Sequence, residues 1–219
     1  MSDKRIEGSR QARKASRVAP EEGSRAILLA ATAELLADRN DLDFSLGEVA
    51  KRTGLSAALI PYHFGNKHGL LSALLEWSSG HHVEQLGGLV AMPLPALDKL
   101  RIHVRAIVAT YMKMPYLDRL LHHLIDLSDE AEARRVSEYY VGRVVDFYRQ
   151  LIDQGVREGS LRPIDPMHLY FVLLGTGDHL VARRRLLEPA VGQAGFDAGF
   201  ARDFGDILYG MILNGIAVE

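Results

Sequence analysis

Three side chains around residue 65 have the chemistry to hold a phosphate: the hydroxyl of Tyr62, the imidazole of His63 and the ammonium of Lys67. All three fall in the stretch SAALIPYHFGNK, residues 56–67. The first two can donate hydrogen bonds, and the third adds charge beside the positive N-terminus of the helix it opens. A second cluster, His122, His123 and Asp126, places an imidazole and a carboxylate four residues apart on one helix face, a spacing compatible with a metal, and His168 and His179 lie on another helix. Such pairs are common on solvated helices. The chain has no H-E-x-x-H, no G-x-S-x-G, no phosphate loop and no cysteine. It therefore reads as a non-enzyme with no metal and no cofactor.

The elements that must position Tyr62, His63 and Lys67 are short helices. From 21 to 39 the apolar residues Ile27, Ala30, Ala31, Leu35 and Leu36 recur at helical spacing, with Asn40 suited to end the helix. Ser45-Leu46-Gly47-Glu48 matches a capping box and opens a second helix that runs to about Thr53. Gly54 supplies a tight turn, Ser56 is a second N-cap, and a third helix of barely two turns follows before Gly65, after which Asn66 can cap a fourth. Val49, Ala50, Leu55, Ile60 and Phe64 are placed to share a core, which describes a helix-turn-helix. Upstream, the first 17 residues hold six Lys or Arg against Asp3 and Glu7 without apolar periodicity: a flexible basic arm or a solubilising tail.

In order, the helix from Ile27, the capping serine, the glycine turn, Y-H-F and the Asn66-Lys67 pair resemble the N-terminal domain of TetR-family transcriptional regulators. The resemblance covers roughly the first third of the chain. It implies that the third helix, Ala57 to His63, enters the major groove of double-stranded operator DNA while Ser45, Tyr62, His63 and Lys67 hold the backbone, and that the remainder is a helical domain for effector binding and dimerisation. The expected organisation is thus all-α: an arm at 1–17, a three-helix DNA-binding domain at 18–72 and an effector-binding and dimerisation domain at 73–219.

Pro61 departs from the family pattern, in which many members have tyrosine. With the helix starting at Ala57, the bond Pro61 cannot donate would have gone to the Ala57 carbonyl at the helix edge, so the distortion is confined to one turn. Pro61 either offers the DNA a stiff apolar surface or only sets how Tyr62 and His63 leave the helix. Ala57, Ala58, Pro61, Leu59 and, on the second helix, Gly47 are the groove-side candidates, with the capping Ser56 counted among the DNA-binding residues beside them. None can make the bidentate bonds that read guanine or adenine. Readout is expected to rest on thymine methyls, close backbone approach at Gly47, DNA shape and minor-groove contact by the arm.

Beyond Trp77 the periodicity stays helical, with helices at about 66–86, 96–113, 116–126, 129–157, 165–185 and 197–216 separated by Pro- and Gly-containing breaks. Leu169, Val172, Leu173, Thr176 and Leu180, and Phe200, Phe204, Ile207, Leu208, Met211 and Ile212, give the last two long helices broad apolar faces, and Gly175, Gly177, Gly210 and Gly215 would allow close approach. A buried core within the chain would explain them. The family resemblance implies instead a homodimer through these two helices. Arg183-Arg184-Arg185 reads as a solvated helix C-terminus. Trp77, Tyr111, His122, Tyr140 and Asp178 are the candidate lining of a small-molecule site between helices. The segment 158–180 also resembles, more weakly, the C-terminal domain of regulators related to the pyrimidine-utilisation repressor. At the positions expected to contact a pyrimidine it has Leu174 and Asp178 rather than an aromatic and an amide, so the effector's identity stays open.

A 219-residue chain with 47% hydrophobic residues can bury one large core or two unequal ones. No apolar run nears the roughly 20 residues that span a bilayer, and the basic start lacks a signal-peptide core, so the expected location is cytoplasmic, with no membrane partner. The net charge of −2 hides a basic front, 11 Lys/Arg against 9 Asp/Glu in residues 1–72, and an acidic rear, 15 against 19. That total suits a nonspecific DNA-organising protein poorly, and competitor DNA separates it from a site-specific regulator. The reading is a ligand-responsive homodimeric repressor that releases its operator when a small molecule binds the rear domain.

Overall fold

A computed structural model describes residues 21–39, 41–191 and 196–217. The basic arm, Asn40 and the 192–195 part of the break after 185 lie outside the described residues. Those described divide into two compact units, one from residues 21–35 and 43–74, the other from 36–42 and 75–217.

The first unit is built on α1 (Glu21–Asp38), α2 (Leu46–Thr53), α3 (Leu59–Phe64) and the first residues of α4 (Lys67–Ala91). Its core is Leu28, Leu29, Val49, Ile60, Leu70, Leu71 and Leu74, all but closed to solvent. Ile27, expected inside, is 43% exposed, because the buried stripe of α1 runs through Leu28 and Leu29 one position later. Leu55 and Phe64 are only half-buried. The capping box forms as expected: Ser45 Oγ accepts from Glu48 N at 3.2 Å and Ser45 N donates to Glu48 Oε2 at 2.7 Å. Gly54 ends α2 at φ 69°, a left-handed conformation that only glycine adopts without strain.

In the second unit the remaining helices are α5 (Ala96–Lys113), α6 (Leu117–Leu127), α7 (Glu130–Ser137), α8 (Arg143–Arg157), α9 (Pro166–Ala182), α10 (Arg184–Val191) and α11 (Ala198–Ile216). The central helix is α5, which packs on α11, α9 and α8. Leu100, Val104, Val108, Phe147, Tyr148, Leu151 and Leu173 form the interior. Lys99 is buried, and its Nζ donates to Val90 O (2.6 Å) and Gln154 Oε1 (2.9 Å), while Glu158 accepts from Ala96 N (2.9 Å). These bonds tie the M-P-L-P break between α4 and α5 to α8.

Two expected helices are interrupted. The one at 129–157 is α7 and α8 joined by a π-helical turn at Glu138–Gly142. A π turn inserts one residue into the helix and re-aims the side chains it carries. The one at 165–185 stops at Ala182, so Arg183-Arg184-Arg185 straddles a break and the chain resumes as α10, which contains Pro189. The glycines also divide. A Cβ on Gly177 would lie 2.4 Å from the Tyr111 ring, whereas Gly175, Gly210 and Gly215 face open space. Close approach is therefore needed at Gly177, against α5.

Candidate nucleic-acid interface and effector cavity

The chain enters α3 through a turn in which Leu59 N bonds Ser56 O (3.0 Å) and Ile60 N bonds Ala57 O (3.2 Å). The Ala57 carbonyl that Pro61 leaves without its usual partner is thus already taken by Ile60. The helix itself begins at Leu59, two residues later than expected, with Ala58 at its N-cap and no side-chain cap. Ser56 Oγ instead accepts from Ala58 N at 3.4 Å, a long bond within the turn.

Gly47, Ser56, Ala57, Ala58 and Pro61 are exposed, as is Ser45, and Tyr62 projects with 67% of its surface open. His63 and Lys67 are half-buried and engaged. His63 Nε2 lies 2.8 Å from Ser24 Oγ on α1, and its ring meets that of Tyr62 edge-on at 5.0 Å. Lys67 Nζ donates to Phe44 O at 2.8 Å and sits 4.3 Å from the centre of the Phe44 ring. Both residues therefore fix the edge from which Tyr62 projects, and the Lys67 ammonium sits at the opening turn of α4 over the Phe44 ring. Asn66 Oδ1 caps that turn through Gly69 N at 2.9 Å. Gly69 was not singled out in the sequence, yet a Cβ there would fall 2.0 Å from the Phe64 carbonyl oxygen. Only glycine lets α4 start this close to the end of α3.

Within the second unit a cavity of about 460 Å³ opens among α4, α5, α6, the π-helical turn and its continuation into α8, and α9. Tyr111 and Tyr140 line it. Trp77 is 48% exposed on the outer side of α4 and does not, and Asp178 lies half-buried beside Gly177 without reaching the wall. His122 is also outside, its ring exposed and its Nδ1 3.1 Å from Asp118 Oδ2. Asp118 itself does line the cavity, together with Ser79, His82, His103, Thr110 and Tyr170, none of which the sequence reading selected for the site. Ile102, His103, Ala106, Ile107, Thr110 and Tyr111 share one face of α5 by their spacing of three and four. That spacing is visible in the sequence. Which face of α5 meets a void is not.

Burial controls the titrations. It pulls His103 down to about 3, so the ring is neutral, bonded through Nε2 to Tyr148 Oη at 2.9 Å. Burial pushes the Tyr111 and Tyr148 phenols well up, and nearby carboxylates add to the shift of Tyr111. It likewise raises Asp118, opposed by His122 and reinforced by Asp178. Tyr140 is raised by burial and held back by a bond from Ser79. Among the described residues no group of three or more His, Asp or Glu could hold a metal, and no helix is long and apolar enough to cross a membrane.

Residues 28–74 match the model of bacterial regulatory proteins of the tetR family, and residues 92–219 match a tetracyclin repressor-like C-terminal domain. Over 151 residues, 68% of this chain and 76% of the relative, the sequence is 25% identical to the nucleoid occlusion factor SlmA of Vibrio cholerae. Among solved structures, NalD, the secondary repressor of the MexAB-OprM multidrug efflux pump in Pseudomonas aeruginosa, superposes with a TM-score of 0.60 at 20% identity, covering 91% of this chain and 98% of NalD. AibR, crystallised with isovaleryl coenzyme A and operator DNA, gives 0.59 at 23% identity over 72% of this chain and 85% of AibR. At these identities the two structures establish a shared fold.

Proposed function

Because the chain belongs to the TetR family of bacterial regulatory proteins, which are DNA-binding transcription regulators and not enzymes, we propose that it is a homodimeric, cytoplasmic repressor that lets go of its operator when a small molecule fills the cavity of the second unit. The observation that carries this reading is the cavity itself. It is roofed by apolar side chains and carries a few polar groups, which is the usual make-up of a small-molecule site, in a chain whose other unit is a helix-turn-helix. In this reading Ser45, Gly47, Ser56, Ala57, Ala58, Pro61 and Tyr62 face DNA, with His63 and Lys67 behind them. The phosphate-holding hydroxyl is that of Tyr62, and specificity comes from methyl contacts and DNA shape.

Support for the homodimer comes from the apolar residues α9 and α11 leave exposed: Val172 at 46%, Ile207 at 59% and Met211 at 70%. Symmetric half-sites require two copies of the reading helix. Helix α4 offers the route for release, since its first turn carries Lys67 while Leu75, Ser79, Val83 and Leu86 further along it line the cavity. A ligand that displaces this wall acts on the helix whose first residues, 67–74, also close the DNA-binding unit. Operator and effector then weaken each other's binding reciprocally.

The test is selection of bound sequences from random duplex DNA at near-physiological salt with the purified chain. An enriched palindrome is the expected result. Retardation without enrichment, vanishing as salt rises, would remove the site-specific regulator from consideration.

A further inference from the structure

The charge on the cavity wall is one-sided. Among its described lining residues there is no lysine or arginine, and the carboxylate among them is Asp118. Of the histidines on the wall, His103 is held neutral by burial and His82 is half-buried on α4. Asp118 has 19% of its side chain exposed and meets only the outward-facing His122 among the hydrogen-bonded ion pairs described for it. Three tyrosines, Tyr111, Tyr140 and Tyr170, bring aromatic rings to the same cavity. Further carboxylates act on this wall from behind: Asp178 on Tyr111 and Asp118, and Glu76 on Tyr140.

We propose that the cavity takes an amphiphilic organic cation, an amine or quaternary ammonium on an apolar body, with its charged end at Asp118 and the tyrosine rings. The inference rests on the effector-responsive reading above and names the chemical class of that effector. A half-buried carboxylate is unfavourable in a medium of reduced dielectric, and a cation placed on its cavity side offsets that penalty. Ring faces of tyrosine add attraction for the same charge. An anion would meet Asp118, with Asp178 behind it and no cation among the described lining residues to receive it, and like charges in partly dry surroundings repel strongly. The rest of the wall, including Leu75, Val83, Leu86, Ile102 and Ile107, suits an apolar body, and a volume of about 460 Å³ is in the range of small-molecule sites.

The experiment uses three probes of matched length, 5-phenylpentan-1-aminium, 5-phenylpentan-1-ol and 5-phenylpentanoate, titrated calorimetrically into the full chain at pH 7.5. The cation is expected to bind at least about tenfold more tightly than the alcohol, a difference worth about 1.4 kcal/mol, with the carboxylate weakest. In Asp118→Asn the cation should fall to the affinity of the alcohol while the alcohol is unchanged, which also reports an intact cavity. Asp178→Asn, off the wall, should reduce the preference by a smaller factor. Equal or tighter binding of the carboxylate, a preference that survives Asp118→Asn, or no binding of any probe overturns the inference. The two readings fail separately. An enriched operator with no charge preference among the probes sinks the cation and leaves the regulator, whereas a clear cation preference with no enriched DNA does the reverse.

Discussion

Acidification from pH 7.5 to 4.5 should destabilise this chain through His103 by an amount the structure allows to be worked out. His103 is buried, bonded to Tyr148 Oη, and its ring packs on Phe147 at 4.5 Å and on Tyr148 at 5.3 Å. Burial lowers its pKa from 6.5 to about 3. Between those values the unfolded chain binds a proton that the folded chain refuses, so stability rises with pH across the window and is lost as pH falls below 6.5. The contribution is nearly complete at pH 7.5, and at pH 4.5 on the order of 3 kcal/mol of it has gone, with a slope approaching 1.4 kcal/mol per pH unit below pH 6. The assay is urea unfolding of the wild type and of His103→Gln at pH 7.5, 6.5, 5.5 and 4.5. Glutamine can still reach the Tyr148 hydroxyl but does not titrate, so whatever stability it forfeits is nearly the same at every pH. Carboxylates that titrate in both proteins, including Glu158 and Asp206, whose hydrogen bonds hold them low, and Asp118, which burial pushes the other way, cancel in the difference. Parallel pH profiles for the two proteins would refute the reasoning, since they would mean that the ring is protonated in place or that the unfolded chain gains nothing by charging it.

The remaining predictions concern groups that shape either unit. Ser45→Ala removes the side-chain half of the capping box, the hydroxyl that accepts from Glu48 N, while the backbone N–H to Glu48 Oε2 remains, and should lower stability by about 1 kcal/mol, read as a lower midpoint in urea. Lys67→Met keeps the apolar stem but loses the bond to Phe44 O and the charge over the Phe44 ring, so thermal unfolding should show a loss of about 1–2 kcal/mol alongside weaker DNA retention. At Gly177 an alanine would place its Cβ 2.4 Å from the Tyr111 ring, and the forced shift should cost about 1–3 kcal/mol despite the better helix propensity; a midpoint equal to wild type would show the ring moves freely. Replacing Arg13, Lys14 and Arg17 together by alanine should weaken operator binding and reduce the slope of log affinity against log salt by up to about 2.7, measured by fluorescence anisotropy across a salt series.

What could be read from the sequence is what the chain decides locally. Ser45 and Glu48 are three residues apart and find each other without help from the rest of the fold, and Gly54 follows because the turn after α2 needs a positive φ. Pro61 was explicable for the same reason: the carbonyl it leaves lies within one turn. Asp129 caps α7 through Glu132 N, and Asp165 and Asp197 cap α9 and α11, close to the places where breaks were expected. The start of α3 was misplaced by two residues because Ser56 bonds within the turn and the helix begins only after Ala58, a choice between two local patterns that the residue types permit equally.

The cavity depends on choices made across several helices, and there the local rules lose their purchase. Tyr111 and Asp178 looked equally suited to a wall, yet Gly177 lets α9 press against the Tyr111 ring, and the residue beside that contact turns away from the void while Leu174, one turn earlier, reaches it. Tyr140 gets to the wall through the π-helical turn, whose extra residue rotates Tyr140 and Val141 relative to an ideal helix continuing from α7. The sequence reading paired His122 with Asp126 and did not weigh Asp118, four residues before it, yet the ion pair that forms is His122 with Asp118. What periodicity omits is the opposite side of the carboxylate: its flank away from His122 belongs to a space assembled from α4, α5, α8 and α9. A charged residue at a surface-like spacing becomes a recognition group only when packing leaves a hollow behind it, so the same Asp118–His122 spacing carries a different meaning here than it would on a solvated helix.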